Sequence, residues 1–192
     1  MAKLYNSVMK EKEIIVLGRG GQGAVTSAYV LAKAGFHEGL YTQAFPFFGV
    51  ERRGAPVMSF CRMSESEIKI RSQIYEADYL IILDPTLLNA VNVEERLKTG
   101  GTILINTSED AKSFKFKKKV SVVTADATSI AIEVIGKPFV NIPMLGAFAK
   151  HTGLISFESL KNAILEMFEG KGKEDVAKKN VDAAKKVYDS VN

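Results

Sequence analysis

Cysteine is nearly missing from this chain of 192 residues, where Cys61 stands alone. One thiol cannot close an internal disulfide, and an iron–sulfur centre needs about four cysteine ligands, so such a centre would have to sit on another polypeptide. Scarce cysteine also suits a reducing compartment. Histidine is almost as rare: His37 and His151 are far apart and show no zinc-ligand spacing. No stretch approaches the roughly 18 uninterrupted apolar residues of a membrane span. The opening MAKLYNSVMKEKE has neither the long apolar core nor the small-residue cleavage site of a signal peptide. These absences predict a cytoplasmic protein with no membrane segment and no metal site of its own.

Catalytic signatures are missing as well. The chain has no nucleophile elbow and no paired-carboxylate motif. Cys61 lies in an apolar run, where a packed thiol is the alternative to a nucleophile. His151 can be read as a cation at a helix end or as a base. Net charge is +4. The positive side chains gather at Lys115 and Lys117 to Lys119 and again from Lys171 to Lys186, which reads as a solvated basic face and predicts no nucleic-acid partner.

What is present is an alternation of short β-branched runs with helical patterns. With 46% hydrophobic residues, this predicts one α/β domain over 1–192, a three-layer α/β/α Rossmann-like unit around a mixed sheet. Strands are expected over 14–17, 41–44, 57–62, 68–71, 79–83, 102–106 and 120–124. Helices are expected over 24–34, 87–98, 129–135, 157–168 and 176–191, with the basic C-terminal helix beginning at about 174. MSFCRMSESEIKIR, from Met58 to Arg71, reads as an antiparallel hairpin about a Ser-Glu-Ser turn. LIILDP and TILINT are apolar runs closed by a polar residue, as in strands buried on both faces.

Between the first strand and the first helix runs GRGGQG, in which Gly18, Gly20 and Gly23 have the G-x-G-x-x-G spacing. Glycine lets a backbone turn tightly and approach a phosphate, while the amides of a helix start attract an anion. Yet the second strand ends in Tyr41, Thr42, Gln43, Ala44 and Phe45, without the carboxylate that a nicotinamide dinucleotide site places on the ribose. No lysine follows the last glycine, so this is not a P-loop. Two readings remain: glycines that only let helix and strand pack closely, or a turn carrying Arg19 and Gln22 toward an anion or a facing protein.

QAFPFFGVERRGAPV, from Gln43 to Val57, sets three phenylalanines beside Glu51, Arg52 and Arg53. Such a loop either caps the core of its own domain or presents aromatic and guanidinium groups to a partner or phosphate. NIPMLGAFAKHTG, from Asn141 to Gly153, joins a proline bend to a helix start of small residues.

Together with IRSQIYEADYLIILDPTLL and LKTGGTILINT, these stretches resemble the gamma subunit of 2-oxoacid:ferredoxin oxidoreductases, in particular the pyruvate synthase (pyruvate:ferredoxin oxidoreductase) branch. The resemblance spans nearly the whole chain in five ordered blocks. It implies a non-catalytic subunit, inactive alone, within a complex that decarboxylates a 2-oxoacid to an acyl-coenzyme A and reduces ferredoxin, or runs in reverse. Thiamine diphosphate is then expected on alpha and beta subunits and the iron–sulfur clusters mainly on a delta subunit. The gamma chain would serve assembly and coenzyme A access. On this resemblance, Gly18, Arg19, Gly20, Gly21, Gln22, Gly23, Arg52 and Arg53 are expected to meet coenzyme A phosphates or the alpha subunit. Phe45, Phe47, Phe48, Glu51, Pro143 and Met144 are expected at a subunit interface. Whether the isolated chain forms a homodimer through its apolar loop stays open. The alternative is a stand-alone nucleotide-binding Rossmann-like module.

Overall fold

The computed structural model describes residues 11–47, 54–170 and 172–191. Among them are six strands: β1 (Lys12–Arg19), β2 (Tyr41–Pro46), β3 (Pro56–Ser64), β4 (Ala77–Ile82), β5 (Leu97–Asn106) and β6 (Ser121–Ala125). Five α-helices accompany them: α1 (Ala24–His37), α2 (Ala127–Ile135), α3 (Pro143–Thr152), α4 (Phe157–Phe168) and α5 (Glu174–Ser190). The strands form one sheet in the order β2-β3-β1-β4-β5-β6. β1, β4, β5 and β6 run parallel, while β3 is antiparallel to both of its neighbours.

Alternation along β1 divides the core. Ile14 and Val16 point to one face of the sheet and Ile15 and Leu17 to the other, each essentially unexposed. Burying a side chain of this size contributes about 1.5–3 kcal/mol. The first face is covered by all five helices. The third layer is thin: Leu87 and Val93, from two single 3-10 turns, join Ile74 and the half-buried Phe114 and Phe116 of connecting loops over Leu80, Ile82, Ile103 and Ile105.

α3 runs through the middle of the helical layer, with every side chain from Pro143 to Ala149 buried. Gly146 permits this, because a Cβ there would run into the Ala184 carbonyl oxygen on α5. The helix starts are capped by the residue types expected to do so: Asp126 accepts from the Ser129 amide, and Ser156 from the Ser159 amide.

Two sequence expectations are corrected. No strand forms over 68–71, because β3 already has β1 on one edge and β2 on the other; the antiparallel pair adjacent in sequence is β2–β3. Nor is 87–98 a helix. Asp84 takes the Thr86 amide to start a 3-10 turn at Pro85–Leu88, a second turn covers Val93–Arg96, and β5 already begins at Leu97, opposite Ala77. Leu87, Val93 and Leu97 are apolar to fill the thin layer, not to make a helical stripe.

Candidate functional site

From β1 the chain crosses through α1 to β2 on one side of the sheet, whereas β4 and the strands after it lie on the other side. The carboxyl ends of β1 and β4 therefore flank a topological switch point, the place where open α/β sheets receive ligands. The glycine turn sits there. The Gln22 amide donates to the Arg19 carbonyl at 2.9 Å, and the Arg19 amide donates to Gln22 Oε1 at 2.7 Å. Gly20 and Gly54 then continue the β1–β3 pairing: the Gly20 amide donates to the Ala55 carbonyl at 2.9 Å and the Gly54 amide to the Gly20 carbonyl at 3.3 Å.

Across the switch point stands Asp84, just past the end of β4. Its Oδ2 accepts from Arg19 Nε at 2.9 Å and from Gln22 Nε2 at 3.1 Å. Its Oδ1 accepts from the Thr86 amide at 3.0 Å and from the Thr86 hydroxyl at 2.5 Å. Four donors occupy the roughly four acceptor positions of a carboxylate. Partial burial opposes ionisation of Asp84, but the Thr86 hydroxyl and amide, then Gln22 and Arg19, outweigh it and hold the carboxyl below its ordinary range. The Arg19 guanidinium also donates to the Gly54 carbonyl at 3.0 Å and to Thr86 Oγ1 at 2.6 Å. Arg19 is thus a strut between β1, β4 and the Gly54 backbone, with two of its five N–H groups unpaired among the described residues.

Asn141 closes the other side. Gly23 has φ of 84°, and a Cβ there would come within 2.7 Å of Asn141 Nδ2, so glycine is required on two counts. Ser27 Oγ lies 3.2 Å from both the Gly23 and Asn141 carbonyl oxygens and can donate to either. The structure therefore joins three separated sequence blocks at one point: the glycine turn, the end of the 43–57 stretch through Gly54 and Ala55, and the start of the 141–153 stretch. Asp84, Thr86 and Asn141 were not singled out from sequence. The one signal for Asp84 was a polar residue closing an apolar strand in LIILDP, and Asn141 appeared only as the first residue of the 141–153 stretch.

Other expected residues are placed differently. Phe48, Glu51, Arg52 and Arg53 lie outside the described residues. Phe45 and Phe47 pack on Phe60 with ring centroids 5.2 and 6.1 Å apart, and the Arg62 guanidinium stands 5.5 Å from the centre of the Phe45 ring. Pro143 and Met144, expected at a subunit interface, lie in the start of α3 and are buried within the domain's own helical layer. His151 sits in the last turn of α3, where burial lowers its pKa. Burial pushes the Cys61 thiol up, which disfavours the thiolate a nucleophile needs.

A dinucleotide reading loses its geometry as well as its carboxylate. β3 lies between β1 and β2, so the end of β2 is two strand spacings from β1, about 10 Å, instead of one. Among the described residues, no group of three or more His, Cys, Asp or Glu side chains is arranged to hold a metal ion, and no helix is long and apolar enough to cross a membrane.

The model of one protein family, described as pyruvate ferredoxin/flavodoxin oxidoreductase, matches residues 13–190. The chain belongs to this family. Within it, the chain is 52% identical over 179 residues to pyruvate synthase subunit PorC of Methanocaldococcus jannaschii, covering 93% of this chain and 96% of that one. It is 48% identical over 180 residues to the common subunit gamma of the pyruvate/ketoisovalerate oxidoreductases of Thermococcus litoralis, covering 92% and 95%. The crystal structure of pyruvate oxidoreductase subunit PORC from Thermotoga maritima superposes with a TM-score of 0.81 at 33% identity, over 96% of this chain and 98% of that one. Matches of this extent make it a gamma-type chain of the pyruvate ferredoxin/flavodoxin oxidoreductase family, a subunit of an enzyme that works with other subunits.

Proposed function

We propose that this chain is the gamma subunit of a cytoplasmic complex that converts a 2-oxoacid, pyruvate above all, to an acyl-coenzyme A and carbon dioxide while reducing ferredoxin, or catalyses the reverse synthesis. Its partners are alpha, beta and delta subunits. The observation that carries this reading is the meeting of three family-matching blocks at the switch point of the sheet. The iron–sulfur clusters of the complex belong to the partner subunits, because Cys61 is the sole thiol and is fully buried, and the family resemblance assigns the thiamine diphosphate to them as well. The common gamma subunit of the Thermococcus relative supports a chain that serves more than one oxoacid enzyme.

Within the complex, the glycine turn faces the phosphate-bearing portion of coenzyme A or the alpha-subunit surface beside it. The acceptor-free start of α1 suits an anion: Gly23 makes no side-chain cap, and the first turn of the helix carries no carboxylate. Coenzyme A supplies the thiol that receives the acyl group. Arg19 holds the turn in shape through Asp84 and Gly54 and offers its two remaining N–H groups. Titration of the assembled complex with coenzyme A, comparing wild type with Arg19→Ala and Arg52→Ala, tests this. A weaker apparent affinity or a failed assembly is expected, and an unchanged affinity with intact assembly would overturn both versions.

A further inference from the structure

At the sheet edge opposite β6, β2 has β3 on one side and no described strand on the other. The Phe47 amide donates to the Met58 carbonyl within the antiparallel β2–β3 pair. Since backbone groups alternate sides along a strand, the amides and carbonyls of residues 41, 43, 45 and 47 point to β3, and those of Thr42, Ala44 and Pro46 point to the open edge. Proline has no N–H, so the edge offers two donors, Thr42 and Ala44, neither of which has a partner among the described residues. Of the usual means of protecting an edge, the strand YTQAFP carries neither a charge nor a bulge and has only Pro46 at its end.

Flanking the strand is a groove of about 530 Å3 between α1 and β2, into which Thr42 and Ala44 project beside Tyr29, Ala32 and Phe36. Phe36 is 72% exposed, and Tyr41 on the other face of β2 is 54% exposed. The charged groups at the rim are satisfied within the chain, with Lys33 Nζ 3.0 Å and His37 Nε2 2.9 Å from the Glu166 carboxylate. The surface therefore asks for a neutral, strand-forming partner.

We propose that the occupant is a second copy of this chain, its β2 antiparallel to the first about a twofold axis at Gln43. The edge is complementary to itself in that register. Thr42 of each copy faces Ala44 of the other, and both free donors find carbonyl acceptors, making four hydrogen bonds. Pro46, which lacks a donor, faces Leu40, whose amide already donates to the Gly35 carbonyl at 3.0 Å, so no donor is stranded. On the thin-layer face, exposed Tyr41 meets Phe45 of the other copy, an aromatic cross-strand pair. On the helical face the two grooves merge into one trough, lined by Tyr29 and Phe36 of both copies. The result is a continuous sheet of twelve described strands with an isologous interface. The glycine turn takes no part, so this inference stands or falls apart from the proposed function.

Sedimentation equilibrium of the full chain, with amide exchange at Thr42 and Ala44 followed by NMR, tests it. Wild type is expected to be a dimer with both amides protected. Ala44→Pro removes two of the four hydrogen bonds by symmetry and is expected to weaken dimerisation by at least about tenfold. Its unused outward N–H makes that position tolerant of proline. Phe36→Asp, at an exposed position, is expected to give a folded monomer whose melting temperature no longer depends on protein concentration, as that of a wild-type dimer does. A monomeric wild type at the highest soluble concentration overturns the proposal. So does a dimer whose Thr42 and Ala44 amides exchange freely, or protection that appears only when other subunits are added.

Discussion

Arg19 Nε lies 2.9 Å from Asp84 Oδ2, tying the end of β1 to the end of β4 across the switch point. Replacing Asp84 with alanine strands four donors: the Arg19 guanidinium, the Gln22 amide group, and the Thr86 hydroxyl and backbone amide. The expected cost is about 2–3 kcal/mol, read as a lower urea midpoint with an unchanged m-value. Asp84→Asn keeps the shape and part of the acceptor set, so its loss is smaller.

The same carboxyl sets an acid response. Its pKa is lowered in the folded chain, so its stabilising share is complete above the unfolded value and is lost as pH falls through the folded one. That loss begins near the ordinary aspartate value of about 4 and deepens below it. In stability measurements from about pH 5 to about pH 2, the gap between wild type and Asp84→Asn is therefore expected to narrow. A gap that widens toward acid would contradict the sign.

Gly146→Ala forces a methyl group onto the α5 backbone, where no rotamer change relieves it. A loss of about 3 kcal/mol is expected from such overpacking, visible in thermal unfolding. Gly21→Ala gives the contrast. Its φ is 94° but its Cβ would meet nothing, so backbone strain alone costs about 1–2 kcal/mol.

Arg62 is 1% exposed, and its Nε lies 3.1 Å from Glu13, which also holds Lys98 at 3.0 Å. Arg62→Ala is expected to cost about 3 kcal/mol, near the lower end for breaking a buried pair, because Lys98 still serves Glu13. Adding Lys98→Ala removes that second cation, and denaturation of the double variant should show a loss larger than the sum of the two singles.

Cys61 gives a probe of opening. Fully buried and with its thiol pKa raised, it is expected to resist a thiol reagent in the native chain and to react at a rate that rises with denaturant in step with unfolding. Prompt stoichiometric labelling of native protein would contradict its placement.

Most of the architecture was legible because it rests on local pattern. Leu80 to Ile82 and Ile103 to Ile105 read as doubly buried strands, and they are; Ile14 to Leu17 read as a strand and is buried on both faces too. The failures came where a residue's partner is remote in sequence. Ile68 and Ile70 alternate as a strand should, yet β2 had already taken the edge of β3. Leu87, Val93 and Leu97 mimic a helical spacing because three separate segments dip into one apolar layer. Asp84 is 65 positions from Arg19, and no periodicity reports such a pairing. The order β2-β3-β1, which moves the second strand away from the glycine turn, is likewise a property of the assembled sheet.

The unequal cover of the two sheet faces has an evolutionary consequence. On the helical side, α3 is wedged against α5 at Gly146, so an inserted residue would rotate a buried helix and displace its whole neighbourhood. On the other side, single 3-10 turns and loops contribute isolated apolar anchors such as Ile74, Leu87 and Val93, and the chain between them can lengthen at little cost. Divergence in length among relatives should therefore be lopsided, gathering over 65–76, 89–92 and 107–119 and sparing 141–152.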